Sequence, residues 1–166
     1  MRYHNITKDD MLNGEGLRTV LWVAGCSHHC PQCHNPVTWD INGGLVFDEQ
    51  AKEELFEELK KDYVSGVTFS GGDPFHLENR EEIGALAKEI REKFPDKTIW
   101  LYTGYEWEEI CHLSFLSNID VIVDGKFKIE EKDNNLHWKG SANQRVIDVK
   151  ARGHRPPPPA HRDGQR

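Results

Sequence analysis

Gly25-Cys26-Ser27-His28-His29-Cys30-Pro31-Gln32-Cys33-His34-Asn35 places three of the chain's four cysteines within eight residues. Buried, unligated cysteine behaves as a small hydrophobe, and small hydrophobes do not gather in a loop bounded by Gly, Pro and His. Three thiols this close are a ligand set. The fourth, Cys111, lies beside Ile110 in an amphipathic stretch and reads as a core residue. Disulfide scaffolds belong to oxidising compartments and usually to smaller, loop-rich chains, so the cluster points to metal or redox chemistry in a reducing one.

The spacing C-x3-C-x2-C at Cys26, Cys30 and Cys33 narrows the metal. Structural zinc takes four closed ligands, usually as two pairs separated by a longer span, and no second C-x2-C pair exists. His28, His29 or His34 could complete a zinc site, although His34 adjoins Cys33 and would have to fold back sharply. Thiolates also hold iron-sulfur clusters, and a four-iron cluster is normally saturated by four cysteines. Three leave one iron open, and an open coordination position marks a catalytic rather than a structural metal.

The run before the loop, Arg18-Thr19-Val20-Leu21-Trp22-Val23, is β-branched and apolar, as in a buried strand, and follows a turn at Asn13-Gly14-Glu15-Gly16. Residues 2–9 predict a further short strand. Downstream, Asp48 is an N-cap for a helix to about Tyr63, with Leu55, Phe56, Leu59 and Tyr63 on one face. A strand at Val67-Thr68-Phe69 then ends in Ser70-Gly71-Gly72-Asp73-Pro74. Asn79 caps a second helix carrying Ile83, Leu86, Ala87, Ile90 and Phe94, with Pro95 just beyond it. A strand at 98–103, a short helix at 106–113 and a strand at 119–123 complete the order β, α, β, α, β, α, β. Residues 138–145 read as a loop or an ending strand returning to the site.

Strands alternating with helices argue a parallel sheet, and ligand-carrying loops at strand carboxyl ends are usual in α/β folds. Four or five strands cannot close an eight-stranded barrel, so the expected fold is α/β, an open partial (βα) half-barrel with a mainly parallel sheet. At 166 residues the length suits one domain. We place that domain at residues 1–150, followed by a disordered Pro/Arg-rich tail at 151–166 with no apolar pattern. The net charge is −7, and the tail holds four Arg and one Asp, which leaves −10 on residues 1–150. An acidic body is a poor nucleic-acid binder, because phosphate contacts need clustered Lys and Arg. No apolar run approaches a bilayer span and residues 1–8 lack a secretory pattern, so the expected location is cytoplasmic, with no membrane partner.

C-x3-C-x2-C after a first strand resembles the signature of the radical S-adenosylmethionine superfamily. Gly71-Gly72-Asp73-Pro74, one βα unit later, is similar in sequence and place to that superfamily's loop for the methionine amino group. Glycines let backbone approach closely, and Asp73 offers acceptors to an ammonium. Thr103-Gly104 and Asp124-x-Lys126 resemble its contacts to the cofactor carboxylate or sulfonium, sometimes with a bound cation; a turn and a solvated charge pair explain each equally well. The likeness runs through residues 3–149. With Gly25 to Trp39, Tyr102-Thr103-Gly104-Tyr105, Val123 to Phe127 and Gly140-Ser141-Ala142-Asn143-Gln144-Arg145, it is similar to the activating proteins of anaerobic ribonucleoside-triphosphate reductase.

That resemblance implies that Cys26, Cys30 and Cys33 hold a 4Fe-4S cluster whose open iron chelates S-adenosyl-L-methionine. Gly71, Gly72, Asp73, Thr103, Asp124, Lys126 and His34 would bind the cofactor, with no side chain acting as a separate catalytic group. It further implies an oxidoreductase that cleaves the cofactor reductively to methionine and a 5'-deoxyadenosyl radical, which takes hydrogen from a glycine of the reductase. Electrons would come from a reduced flavodoxin or ferredoxin-type donor. Trp39, His28 and His29 could flank the adenine or the incoming loop, but read better as packing. Other readings stay open: activation of another glycyl-radical enzyme such as pyruvate formate-lyase, a zinc-binding interaction module, or simple electron transfer.

Overall fold

The computed structural model describes residues 1–152. A single seven-stranded sheet in the order β3-β1-β2-β4-β5-β6-β7 carries the molecule. Its centre is parallel: β2 (Arg18–Val23), β4 (Gly66–Gly71), β5 (Thr98–Tyr102) and β6 (Val121–Asp124) pair in turn. Both flanks are antiparallel. On one side β1 (Arg2–Asp10) pairs with β2 and the two-residue β3 (Leu45–Val46) pairs with β1; on the other, β7 (Arg145–Asp148) pairs with β6. The strand order is open at both ends, and the expected parallel unit is only the middle of a larger mixed sheet.

Period-two patterning explains which side is covered. Leu21, Val23, Val67, Phe69, Leu101 and Ile122 point into one apolar core. Against them lie α1 (Glu49–Leu59) through Leu55, Phe56 and Leu59, and α2 (Arg80–Lys93) through Ile83, Leu86, Ala87 and Ile90. The short α3 (Trp107–Ile110) and the 3-10 turn Ser114–Asn118 add Trp107, Ile110 and Leu116. The alternate residues, Val20, Trp22, Thr68, Ser70, Trp100 and Tyr102, therefore share the opposite face.

That opposite face is plugged at one end by Arg18, which is fully buried. Its guanidinium donates to Thr68 Oγ1, Thr98 Oγ1 and the carbonyls of Glu15, Val67 and Thr98, and lies 5.5 Å from the Trp100 ring centre. Burial lowers its pKa to about 10, so it remains charged at neutral pH.

Several expectations need correction. Asp48 does cap α1, accepting from Ala51 N at 2.9 Å, but the helix stops at Leu59 and Tyr63 is 55% exposed beyond it. Asn79 stands at the N-cap position, where its carbonyl accepts from Ile83 N but its side chain does not cap the helix; its buried amide donates to Ala24 O and Asp73 O instead. The helix at 106–113 shrinks to one turn, held by a capping box of Glu106 and Glu109. Cys111 follows that turn, half-buried at the margin of the core. Ala151 and Arg152, the first two residues of the expected tail, complete a short helix, α4 (Val149–Arg152). The remainder of the expected tail, 153–166, lies outside the described residues.

Candidate functional site

The cysteine loop leaves the end of β2 and is stitched back onto itself. Gly25 N donates to Thr38 O at 2.7 Å and Cys26 N to Trp39 O at 3.1 Å, while Cys33 N donates to Cys30 O at 3.1 Å. His29 and Gln32 adopt left-handed φ of 49° and 56°, conformations that ordinary L-residues adopt at a cost. His29 stacks on the Trp39 indole at 4.6 Å between centres.

Beside it lies the loop that leaves β4. Gly72 N donates to Val23 O and Asp73 N to Gly25 O, at 2.9 and 2.7 Å. The two glycines serve this contact. A Cβ at Gly71, whose φ is +107°, would meet Val23 N and O at 2.6 Å, and one at Gly72 would meet Gly25 O at 2.5 Å. They let two loops touch.

Asp73 is the knot between these loops. Its carboxylate is 2% exposed and accepts from Thr103 Oγ1, Gly104 N, Phe75 N and His28 Nε2, the last at 2.6 Å. Four internal donors thus meet on this one carboxylate and tie three loops together. Thr103 is drawn in by the same bond and accepts from Tyr105 N. His28, read from sequence as packing, is thus a tie from the cysteine loop to two others, with its ring edge-on to Tyr105 at 4.7 Å. A Cβ at Gly104 would meet the His28 ring at 2.4 Å, a proximity that nothing local in the sequence signals.

At the carboxyl end of β6, Asp124 is likewise filled. Arg145 of β7 donates to both of its oxygens, Trp107 N donates to Oδ2 at 2.8 Å, and Arg145 also reaches Glu108 at 2.8 Å. The guanidinium holds the Glu108 carboxyl down to about 2. Gln144 ties the returning segment to the site, accepting from Gly140 N and donating to Gly125 O. Lys126 is exposed, and its carbonyl accepts from Asn143.

One cavity of about 340 Å³ opens where these loops meet. Cys26, Cys30, Cys33, His34, Gly71, Gly72, Asp73 and Thr103 all line it, whereas Asp124 and Lys126 do not. His34 packs edge-on to Phe127 at 5.0 Å between centres. Burial pushes the Cys26 thiol up to about 11 and raises Cys30, against the pull of backbone N–H groups of His28 and His29 on the one and Phe127 on the other. Metal binding must therefore displace protons from both.

The donor set discriminates among metals. Thiols sharing one tetrahedral zinc at about 2.3 Å converge to within about 4 Å of one another. Among the described residues no group of three or more Cys, His, Asp or Glu converges on a single-ion site. Three cysteines lining one cavity, with no fourth beside them, suit an iron-sulfur cluster with one iron left open. A further fit is the Trp39 indole N–H, buried, lining the cavity and without a hydrogen-bond partner among the described residues.

Comparison with known proteins gives the same cluster type. Residues 12–147 match the family described as 4Fe-4S single cluster domain. The chain is 44% identical over 146 residues to the anaerobic ribonucleoside-triphosphate reductase-activating protein of Enterobacteria phage T4, covering 88% of this chain and 93% of that one. Proteins of the same name from Escherichia coli K12 and Haemophilus influenzae are each 39% identical, over 150 and 148 residues, covering 88% and 87% of this chain and 97% and 96% of theirs. No helix among the described residues is long and apolar enough to cross a membrane. Three thiols around one cavity and matches along nearly the whole domain lead to one conclusion: the chain belongs to the 4Fe-4S single cluster domain family and to its branch of anaerobic ribonucleoside-triphosphate reductase-activating proteins.

Proposed function

We propose that this protein is a radical S-adenosylmethionine enzyme that installs a glycyl radical on anaerobic ribonucleoside-triphosphate reductase. The observation that supports this best is the shared cavity. Loops from the carboxyl ends of adjacent parallel strands bring three cysteines and Gly71-Gly72-Asp73 around one space. When bound together, cluster and cofactor supply one-electron reductive cleavage of the sulfonium, giving methionine and a 5'-deoxyadenosyl radical that takes hydrogen from the partner's glycine.

The chain's own residues hold and orient. Cys26, Cys30 and Cys33 ligate the cluster as thiolates. Gly71 and Gly72 bring the second loop against the first, so its backbone groups, rather than the occupied Asp73 carboxylate, face the methionine amino group. Asp73 and His28 fix the separation of the two loops, while Thr103 and His34 wall the cavity. Lys126, whose charge favours the Cys30 thiolate, supplies an ammonium for a carboxylate. Asp124 acts through Arg145, an internal cation that fixes β7 to β6. The parallel strands β2, β4, β5 and β6 form the incomplete barrel, open enough to admit a peptide of another protein. A reduced flavodoxin or ferredoxin-type donor supplies the electron, and the cytoplasm is the compartment that keeps the thiols reduced.

The test is anaerobic reconstitution with iron and sulfide, reduction, and addition of S-adenosylmethionine with and without the reductase. Methionine and 5'-deoxyadenosine should appear, and a glycyl-radical signal should follow by electron paramagnetic resonance when the reductase is present. Zinc in place of iron, or a reduced cluster that leaves the cofactor intact, would sink the reading.

A further inference from the structure

The cavity reaches below the tier of loops just described. Trp22 pairs with Ser70 across β2 and β4, and Phe69 with Leu101 across β4 and β5, which sets Ser70 beside Tyr102. Trp22, Ser70 and Tyr102 thus form one row across three strands, on the face opposite the helices. All three line the same cavity as the cysteines, together with Asn13 and Gln144. The space ends there, because the following residues on that face, Thr68 and Trp100, close over the buried Arg18.

Around the Ser70 hydroxyl, three side-chain donors of this lower tier are paired within the protein. The Trp22 indole N–H donates to Thr7 Oγ1 at 2.9 Å, the Asn13 amide to Asp10 at 3.1 Å and the Gln144 amide to Gly125 O at 2.9 Å. The Tyr102 hydroxyl is buried and has no hydrogen-bond partner among the described residues. Leaving a buried hydroxyl unpaired costs about 1–3 kcal/mol, and a phenylalanine would avoid it. Burial and the charge of Asp10 push its ionisation above the ordinary phenol range, so it stays a neutral O–H donor.

We propose that the row Trp22-Ser70-Tyr102 seats the partner's peptide segment bearing the reacting glycine, and that the Tyr102 hydroxyl donates a hydrogen bond to a carbonyl of that segment. This rests on the function proposed above. The chemistry of the row favours a peptide over the charged end of a cofactor: it offers two aromatic faces and two hydroxyls, and no charged side chain. A residue without a side chain is what a floor walled by Trp22 and Tyr102 admits beside backbone carbonyls. Tyr102 is accordingly a positioning residue for the substrate peptide.

Full-length Tyr102→Phe, reconstituted and reduced, tests this against the unsubstituted protein with the intact reductase. Four quantities are read: the dissociation constant for S-adenosylmethionine from its perturbation of the cluster signal, kcat and KM for glycyl-radical formation, and the melting temperature. We expect kcat/KM for the reductase to fall about 5- to 10-fold, the effect of one hydrogen bond, mainly through KM. The cofactor dissociation constant should stay within twofold, and the melting temperature should hold or rise, since an unpaired hydroxyl is removed. An unchanged kcat/KM would overturn the proposal. So would an equal weakening of cofactor binding, which would assign the row to the adenosyl group. Failure of the unsubstituted protein to cleave the cofactor would remove the underlying function and this proposal with it; cleavage with an indifferent Tyr102→Phe removes the proposal alone.

Discussion

At the scale of single residues, Asp73 matters for what it is bonded to rather than for the charge it shows. Replacing it by Ala would strand donors from Thr103, Gly104, Phe75 and His28 in a buried site. The expected loss is about 3–5 kcal/mol in urea unfolding of the metal-free protein, with Asp73→Asn losing distinctly less. Cys26 gives a pH dependence of defined sign. Its folded thiol lies at about 11 against an ordinary 9.0, because burial disfavours the thiolate. The stability it contributes is therefore complete below pH 9.0 and is lost as pH rises through about 11, where the unfolded chain has already given up its proton. Urea midpoints of the metal-free protein should fall across that window, and Cys26→Ala should flatten the slope. The cysteines were legible in sequence because their chemistry is local to one loop. His28 was not, since its partner lies 45 residues away and only the fold sets them 2.6 Å apart.

Among elements, what periodicity could reveal was the buried face and little of the boundaries. Leu55, Phe56 and Leu59 identify α1 correctly, but nothing in the pattern says that Tyr63 belongs to the next turn. Asn79 looks like a helix cap because caps are commonly Asn. A tertiary acceptor, Ala24 O at 2.8 Å, outbids its own helix for the amide. The glycines at the end of β4 also give room to the protein itself, Gly71 against β2 and Gly72 against the cysteine loop. Gly71→Ala should consequently cost about 1–3 kcal/mol through its left-handed φ, and push the β2 and β4 loops apart. Lower iron retention after gel filtration, at unchanged far-ultraviolet circular dichroism, is the expected mark; full retention would mean the loops tolerate separation.

For the molecule as a whole, the parallel centre followed from alternating strand and helix patterns, while the antiparallel flanks did not, because the pairing partners of β1 and β7 carry no local signal. A ligand that binds only the assembled loops stabilises the entire domain, by about 4 kcal/mol at a thousand times its dissociation constant. For a domain of this size that raises the melting temperature by about 10 °C, so anaerobic reconstitution should lift the calorimetric midpoint and chelation should return it. Coincident midpoints would show that the cluster loop is not coupled to the rest. The left-hand margin of the sheet has its own consequence. β3 covers only Arg2 and Tyr3 of the nine-residue β1, whose remaining length departs from regular register between Tyr3 and Asn5 and again between Thr7 and Asp10, and carries Lys8, Asp9 and Asp10. Bends and charges of that kind spoil the template that a bare strand offers to a second chain, so this margin resists runaway strand-on-strand association and fibre growth.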